Sequence, residues 1–325
     1  MEARFILTGI AMILSIASLS LFTTHTHAQQ QRDIAFRNVD VFDGYRMIRQ
    51  TTVLVRNSMV RAIGTDLLIP SSTQIIDGKG KTLLPGLFDA HTHLGEPPSQ
   101  QFLEDALDFG VTTEIEMFGG YGSLALKKRM STDSQVGVAD FRTTGIGVTV
   151  PRGHATQFGI SFPTLSPSDD VQAFIDARIT EGADYIKVIY EHLLPTLTRQ
   201  QLEDVVAAAH RRNKLVVAHI RTQSEAREAI AAGVDGLVHI SSNSLPEPSF
   251  AEFAAQHNIF VIPTLSVIES TTAGSAKSWW QDLPNLARYI TPSMRRTLEI
   301  KIPAGFAADQ KLSYAQATVR QLPVT

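Results

Sequence analysis

Leu215-Val-Val-Ala-His-Ile220, then Thr222-Gln-Ser-Glu225, then Gly233, then Gly236-Leu-Val-His-Ile240 read in turn as strand, helix start, helix stop and strand. Thr222 with Glu225 three residues on is a capping-box signature. Ala226, Ala229, Ile230 and Gly233 then recur at helical spacing and give one small, packable face. The same rhythm extends outward on both sides. Short apolar strands are predicted at 87–93, 111–118, 141–150, 185–189, 215–220, 236–240 and 259–265. Ser166-Pro167-Ser168-Asp169 is expected to open one intervening helix by a capping box with Pro at its first position, and Thr198-Arg-Gln-Gln201 the next. Gly182, Gly233 and Gly236 are expected to stop helices. Strand–helix alternation repeated this often implies an α/β fold on a parallel sheet. Seven strands favour a TIM-like (β/α)8 barrel over an open doubly wound sheet. No G-x-G-x-x-G follows the first strand, which removes the main dinucleotide-binding alternative. The stretch 277–322 reads as helix and loop, and no eighth strand is found, so the expected barrel lacks its last strand or strands.

Ahead of that alternation, residues 33–84 are short β-branched runs separated by Gly, Asn and Asp, with a turn at Asp43-Gly44, the signature of a small hairpin sheet. Further upstream, Arg4 precedes an apolar run over 5–22, and Thr26-His27-Ala28 ends in a small residue before Gln29. That is the pattern of a cleaved secretory signal, with an uncleaved anchor as the competing reading. The chain has no cysteine, so disulfides, lipid attachment through Cys and Cys-based zinc sites are excluded. A net charge of −3 and a pI near 6.4 give no basic stripe for nucleic acid. Lys127, Lys128 and Arg129 read as a solvated helix face.

Any metal must therefore be held by nitrogen and oxygen, which singles out the ten histidines. His91 and His93 in Asp89-Ala-His-Thr-His93 lie two apart on a strand, so both imidazoles project to one side. Alone, an H-x-H is weak, and two turn histidines explain it as well. His219 and His239, however, each close a further apolar strand, and C-terminal strand ends of such barrels converge on the catalytic mouth. Lys187 sits inside the apolar Tyr185-Ile-Lys-Val-Ile-Tyr190. Either its stem snorkels to solvent, or its amine is desolvated and reactive. His154, in Pro151-Arg-Gly-His-Ala-Thr156, follows the third strand and is a candidate contact for substrate or developing charge; a plain loop histidine is the alternative. Tyr190 and Arg221 follow strand ends and are candidate pocket residues. His192, His210 and His257 are read as structural or solvent-facing, and His25 and His27 lie in or beside the leader.

Leu84-Pro-Gly-Leu-Phe-Asp-Ala-His91-Thr-His93, Gly182-Ala-Asp-Tyr-Ile-Lys187-Val, Val217-Ala-His219 and Gly236-Leu-Val-His239 together resemble the amidohydrolase superfamily, and within it the imidazolonepropionase- and prolidase-like branch. The resemblance covers about residues 33–320. It implies three segments: a signal peptide at 1–28, a small β-sandwich domain at 29–84 that is incomplete without C-terminal strands, and a metal-dependent hydrolase barrel at 85–325. It further implies one or two divalent ions, zinc by default, with manganese, cobalt or iron as alternatives. His91 and His93 would hold one, His219 and His239 the other, and an N6-carboxylated Lys187 would bridge them. The implied activity is hydrolysis of amide, dipeptide or lactam C–N bonds by a metal-activated hydroxide. The family also uses an aspartate after strand eight, in a Gly-Thr-Asp context that this sequence lacks. The resemblance is thus to a C-terminally truncated member, and loss of that base would cost ~10²–10⁴ in rate. An impaired relative that only binds metal or ligand is the alternative. The implied partners are a small-molecule substrate and a second copy of the chain, with a secreted or periplasmic location.

Overall fold

The computed structural model describes residues 33–95, 98–132, 137–159, 161–241, 247–265 and 289–290. The chain divides into two compact units, 1–85 and 86–325.

In the first unit, β1 (Ile34–Phe42), β2 (Met47–Arg56), β3 (Met59–Gly64), β4 (Gln74–Asp77) and β5 (Thr82–Leu83) make one sheet of order β3-β2-β1-β4, with β5 also on β1. The turn between β1 and β2 forms where expected: Asp43 Oδ1 accepts the N–H groups of Tyr45 and Arg46 at 2.9 Å each. Val39, Val41 and Val53 form the small core under this sheet. The described residues of this unit form one sheet, and the β-sandwich expected here, incomplete without C-terminal strands, goes beyond them. One expectation is corrected: the unit is not a run of hairpins throughout. The chain crosses from β3 to the far side of β1, so β4 and β5 pair parallel to β1.

The second unit contains β6 (Leu87–Thr92), α1 (Gln100–Asp108), β7 (Val111–Glu116), α2 (Tyr121–Thr132), β8 (Asp140–Thr143), α3 (Val171–Glu181), β9 (Ile186–Ile189), α4 (Arg199–His210), β10 (Val216–His219), α5 (Gln223–Ala231), β11 (Gly236–Val238), α6 (Pro248–Gln256) and β12 (Phe260–Ile262). All seven expected strands are present, and each pairs parallel to its neighbour in chain order. The β8–β9 step is made beyond β8, where Val148 bridges Val188. The predicted strand 141–150 is therefore broken. Gly145 takes a left-handed φ of 56°, and at Gly147 a Cβ would lie 2.3 Å from the Phe118 ring. The predicted helix-rich stretch and the search for an eighth strand fall outside the described residues, apart from 289–290.

Alternation along the strands decides what each side chain meets. Ile186, Val188, Val216 and Ala218 face the helices and pack with Ile175, Leu202, Val205 and Ile230. Full burial of a side chain such as Leu202 contributes about 1.5–3 kcal/mol. Val217 and Val238 instead join Met117 in a separate inner cluster. The helices start largely as their capping residues dictate. Thr198 with Gln201 and Thr222 with Glu225 close full capping boxes. The Ser166 box does not. Asp169 Oδ2 turns back to accept the Ser166 N–H at 2.6 Å, and α3 begins five residues later than Ser166, capped by Asp170. Gly182 and Gly233 terminate helices at φ 116° and 91°. Gly236 instead opens β11, beneath Phe260, with no room for a Cβ.

Candidate active site

Four parallel strands supply the candidate side chains. His91 and His93 come from the end of β6, Lys187 from β9, His219 from the end of β10, and His239 directly follows β11. These rings form a chain of contacts. Centroids lie 5.2 Å apart for His93–His91, 4.8 Å for His91–His239, 4.5 Å for His239–His219 and 4.8 Å for His219–His154. The sheet therefore curves enough to bring the first strand's end beside the sixth's. His93, His154, Lys187, His219 and His239 also line one cavity of about 740 Å³.

Several of these groups are held in orientation. His93 Nδ1 lies 3.0 Å from the Phe118 carbonyl oxygen. A carbonyl only accepts, so that nitrogen bears the proton and Nε2 carries the lone pair. This Nε2 sits 3.2 Å from Nε2 of His91. His239 adopts a left-handed φ of 76°, and its Nδ1 is 2.7 Å from Thr264 Oγ1. Backbone strain of this kind is costly and concentrates at functional sites.

The electrostatics favour neutral nitrogen donors. Burial, then the neighbouring Lys187, His93 and His219, hold the His91 pKa down at about 2. Burial also lowers His219 to about 4, against the opposing pull of Glu191, and His239 falls further through burial and the surrounding imidazoles and lysine. His93 is lowered too, chiefly by burial. Lys187 is 3% exposed, and burial alone brings its amine to about 7. Among the described residues no carboxylate lies within salt-bridge distance of it. Near neutral pH the cluster is thus a set of unprotonated imidazole lone pairs, with a lysine poised to lose its proton. That donor set suits a divalent cation of the zinc type. Buried His91 Nδ1 also lacks a hydrogen-bond partner, which marks polar capacity that the described residues leave unused.

His154 and two further residues complete the picture. His154 Nδ1 lies 2.9 Å from Glu191 Oε1, and Glu191 Oε2 is 3.8 Å from His219 Nε2. Donor atoms of His154, Glu191 and His219 fall within 4.8 Å of one another, a second grouping able to hold a cation. Burial acts to raise the Glu191 pKa, but the hydrogen bond from His154 and the nearby His219 imidazole outweigh it and hold it at about 2. Glu191 was not anticipated from sequence. The signal for it was present: Lys187, Ile189 and Glu191 alternate onto one face. Tyr190, expected at the pocket, faces the other way; it is buried, and its hydroxyl donates to Glu228 at 2.6 Å. Arg221 is absent from the described lining and gives its backbone N–H to Glu225 at 2.8 Å. The second unanticipated residue is Glu116, 1% exposed. It accepts from Leu94 N–H, Ser123 Oγ and Thr143 Oγ1, and so ties together the segments after β6, β7 and β8. His192, His210 and His257 lie outside the cluster, the last two bonded to Asp235 and the Phe253 carbonyl.

Known proteins resemble the chain in sequence and in fold. The sequence profile of the amidohydrolase family matches residues 82–294. The imidazolonepropionase of Idiomarina loihiensis is 28% identical over 195 residues, covering 51% of this chain and 47% of that enzyme. The ochratoxinase of Aspergillus niger is 23% identical over 299 residues, covering 74% and 61%. The chain thus spans about half to three-fifths of these two curated relatives. Among solved structures, a Xaa-Pro dipeptidase with bound methionine superposes with a TM-score of 0.68 at 19% identity, over 89% of this chain and 76% of that one. At that identity the likeness shows the fold, a TIM-like α/β architecture.

Proposed function

The chain belongs to the amidohydrolase family, and from that premise we propose that it hydrolyses C–N bonds of small molecules with the help of one or two divalent metal ions. The substrates in view are amides, dipeptides or lactams. The observation that carries the proposal is the convergence of four imidazoles from separate parts of the sequence into one chain of ring contacts, with His93, His219 and His239 lining a cavity beside a buried lysine. His91, His93, His219 and His239 would hold the metal through neutral nitrogens. Lys187, once its amine has lost its proton and added carbon dioxide, would offer a carbamate oxygen. A bound cation of this kind supplies Lewis acidity, lowering the pKa of water towards ~7 and polarising a carbonyl.

The chain's own groups have further parts. His154, with Nδ1–H given to Glu191, carries its lone pair on Nε2. From the cavity wall that nitrogen can accept a proton and, once protonated, donate a hydrogen bond to a polarised oxygen. Glu191 holds that tautomer. Largely apolar walls keep bulk water from the reacting groups, which strengthens each electrostatic contact inside. Residues 1–28, outside the described residues, fit export to the periplasm or beyond. N-terminal sequencing of the mature protein checks that part.

The test is elemental analysis of the purified full-length protein, run beside a hydrolysis screen of dipeptides and lactams. The expected result is stoichiometric zinc or a related metal together with turnover. The double variant His91→Ala, His93→Ala should lose both. Unchanged metal content in that variant would overturn the proposal.

A further inference from the structure

Apart from the imidazoles, Lys187, Ser161 and Glu116, the described cavity wall is glycine, aromatic and aliphatic, with Phe118, Phe162, Tyr121, Met117 and Ile146 prominent. Its one described carboxylate, Glu116, is already engaged by Leu94, Ser123 and Thr143. No arginine is present among the described lining residues. Away from Lys187 and a cation held by the imidazoles, a free carboxylate on a ligand would meet no counter-charge among the described lining residues, whereas an apolar group would meet two half-buried rings.

Phe118 is the centre of this wall. It takes φ 141°, an outlier for a bulky side chain and one that persists only where the surroundings over-determine it. Three constraints do so. Its carbonyl accepts from His93 Nδ1 at 3.0 Å. Its ring meets Phe162 edge-on, with centroids 5.3 Å apart and planes at 69°. The same ring rests on Gly147, where a Cβ would lie 2.3 Å from Cδ2 and 2.5 Å from Cε2. One residue thus orients a candidate metal ligand by its backbone and forms the pocket wall by its side chain. We infer that the substrate carries an aryl or comparably bulky apolar group next to the hydrolysed C–N bond, seated against Phe118 and Phe162. This inference rests on the hydrolase reading of the same cavity and narrows its substrates to uncharged, apolar-substituted amides.

The experiment titrates para-fluorophenylacetamide and fluoroacetamide into the full-length protein, followed by fluorine NMR, before and after treatment with EDTA. The aryl amide is expected to bind roughly 10- to 100-fold more tightly, the gain from burying one aromatic side-chain equivalent. Phe162→Ala and Phe118→Leu, each checked for folding by circular dichroism, should cut that advantage to a few-fold. The second keeps an apolar branch on the same backbone, so a folding failure in the first does not decide the result. Equal affinities in the unaltered protein, no saturable aryl binding, or an advantage that survives both substitutions would overturn the inference. An aryl preference that persists through EDTA in a protein without metal or turnover would sink the hydrolase proposal and the placement beside a hydrolysed bond, leaving only the aryl-binding wall.

Discussion

Glu114 offers a sharp test of the electrostatics beneath the site. It lies in β7, is 2% exposed, and its Oε2 has no hydrogen-bond partner. Burial first, then the charge of Asp89, raises its pKa from 4.5 to about 7. The sign follows from linkage. Below pH 4.5 the carboxyl is protonated folded and unfolded, and nothing is lost. As pH rises towards 7 the unfolded chain ionises first, so stability falls, and the loss is complete above about 7. At about 1.4 kcal/mol per tenfold change in proton affinity, the ceiling is roughly 3 kcal/mol. Asp89 is exposed and its charge is screened, so the expected loss is about 1–2 kcal/mol. Glu114→Gln cannot ionise. Urea unfolding of both proteins, followed by circular dichroism in EDTA between pH 4.5 and 8.5, gives the comparison. The advantage of the variant should grow by that amount across the range. Any fixed offset from placing an amide there is independent of pH and drops out. Parallel profiles would refute the reasoning, because they would mean that the carboxyl ionises in the folded protein as readily as in the unfolded one.

Other substitutions probe the scaffold and the site separately. Gly147→Ala pushes a methyl into the Phe118 ring and should cost about 1–3 kcal/mol, read as a lowered thermal midpoint. Leu202→Ala opens a cavity between α4 and the sheet and should cost about 2–5 kcal/mol in chemical denaturation. Thr222→Ala removes half of the α5 capping box and should cost about 1 kcal/mol. Glu191→Leu should remove the Nδ1 hydrogen bond of His154, visible as a changed imidazole nitrogen NMR signal, while Glu191→Gln, which keeps an acceptor oxygen, should retain it.

Much of the second unit was legible because its information is local and periodic. Apolar runs of four or so residues, each followed by a capping Thr and a later Gly, specified β10, α5 and β11 without tertiary knowledge. The histidine cluster was legible because a polar residue closing a buried strand has few places to go in a parallel α/β fold. What sequence left open depends on long-range contacts. The Ser166 box competes with an equally good turn through Asp169, and only packing of α3 decides between them. The break after β8 arises because Phe118, far away in sequence, needs the space above Gly147. The parallel return of β4 to β1 likewise depends on where the chain crosses over, which no local pattern encodes. Glu191 lies two residues beyond the end of β9, past the apolar run, so only alternation from Lys187 through Ile189 points to it.

The same desolvation that makes the cluster useful makes it costly. Five basic groups share a small region, and burial drives protons off them, with repulsion adding to it at the imidazoles. In water each would carry its proton more readily, so each lowered pKa is stability withheld from the fold at acidic pH. A cation bound by the unprotonated nitrogens would restore it, because binding to the folded state alone stabilises that state. The imidazoles sit at strand ends rather than mid-strand, where lone pairs reach the cavity while the apolar residues beneath them keep the sheet packed. Stability and metal affinity are thus two readings of one arrangement. Acid should weaken both: stability falls from about pH 6.5 downward, as the unfolded chain takes up protons that burial denies these imidazoles in the fold, and metal affinity falls as the folded imidazoles themselves take up protons, His219 at about 4 ahead of His91 at about 2.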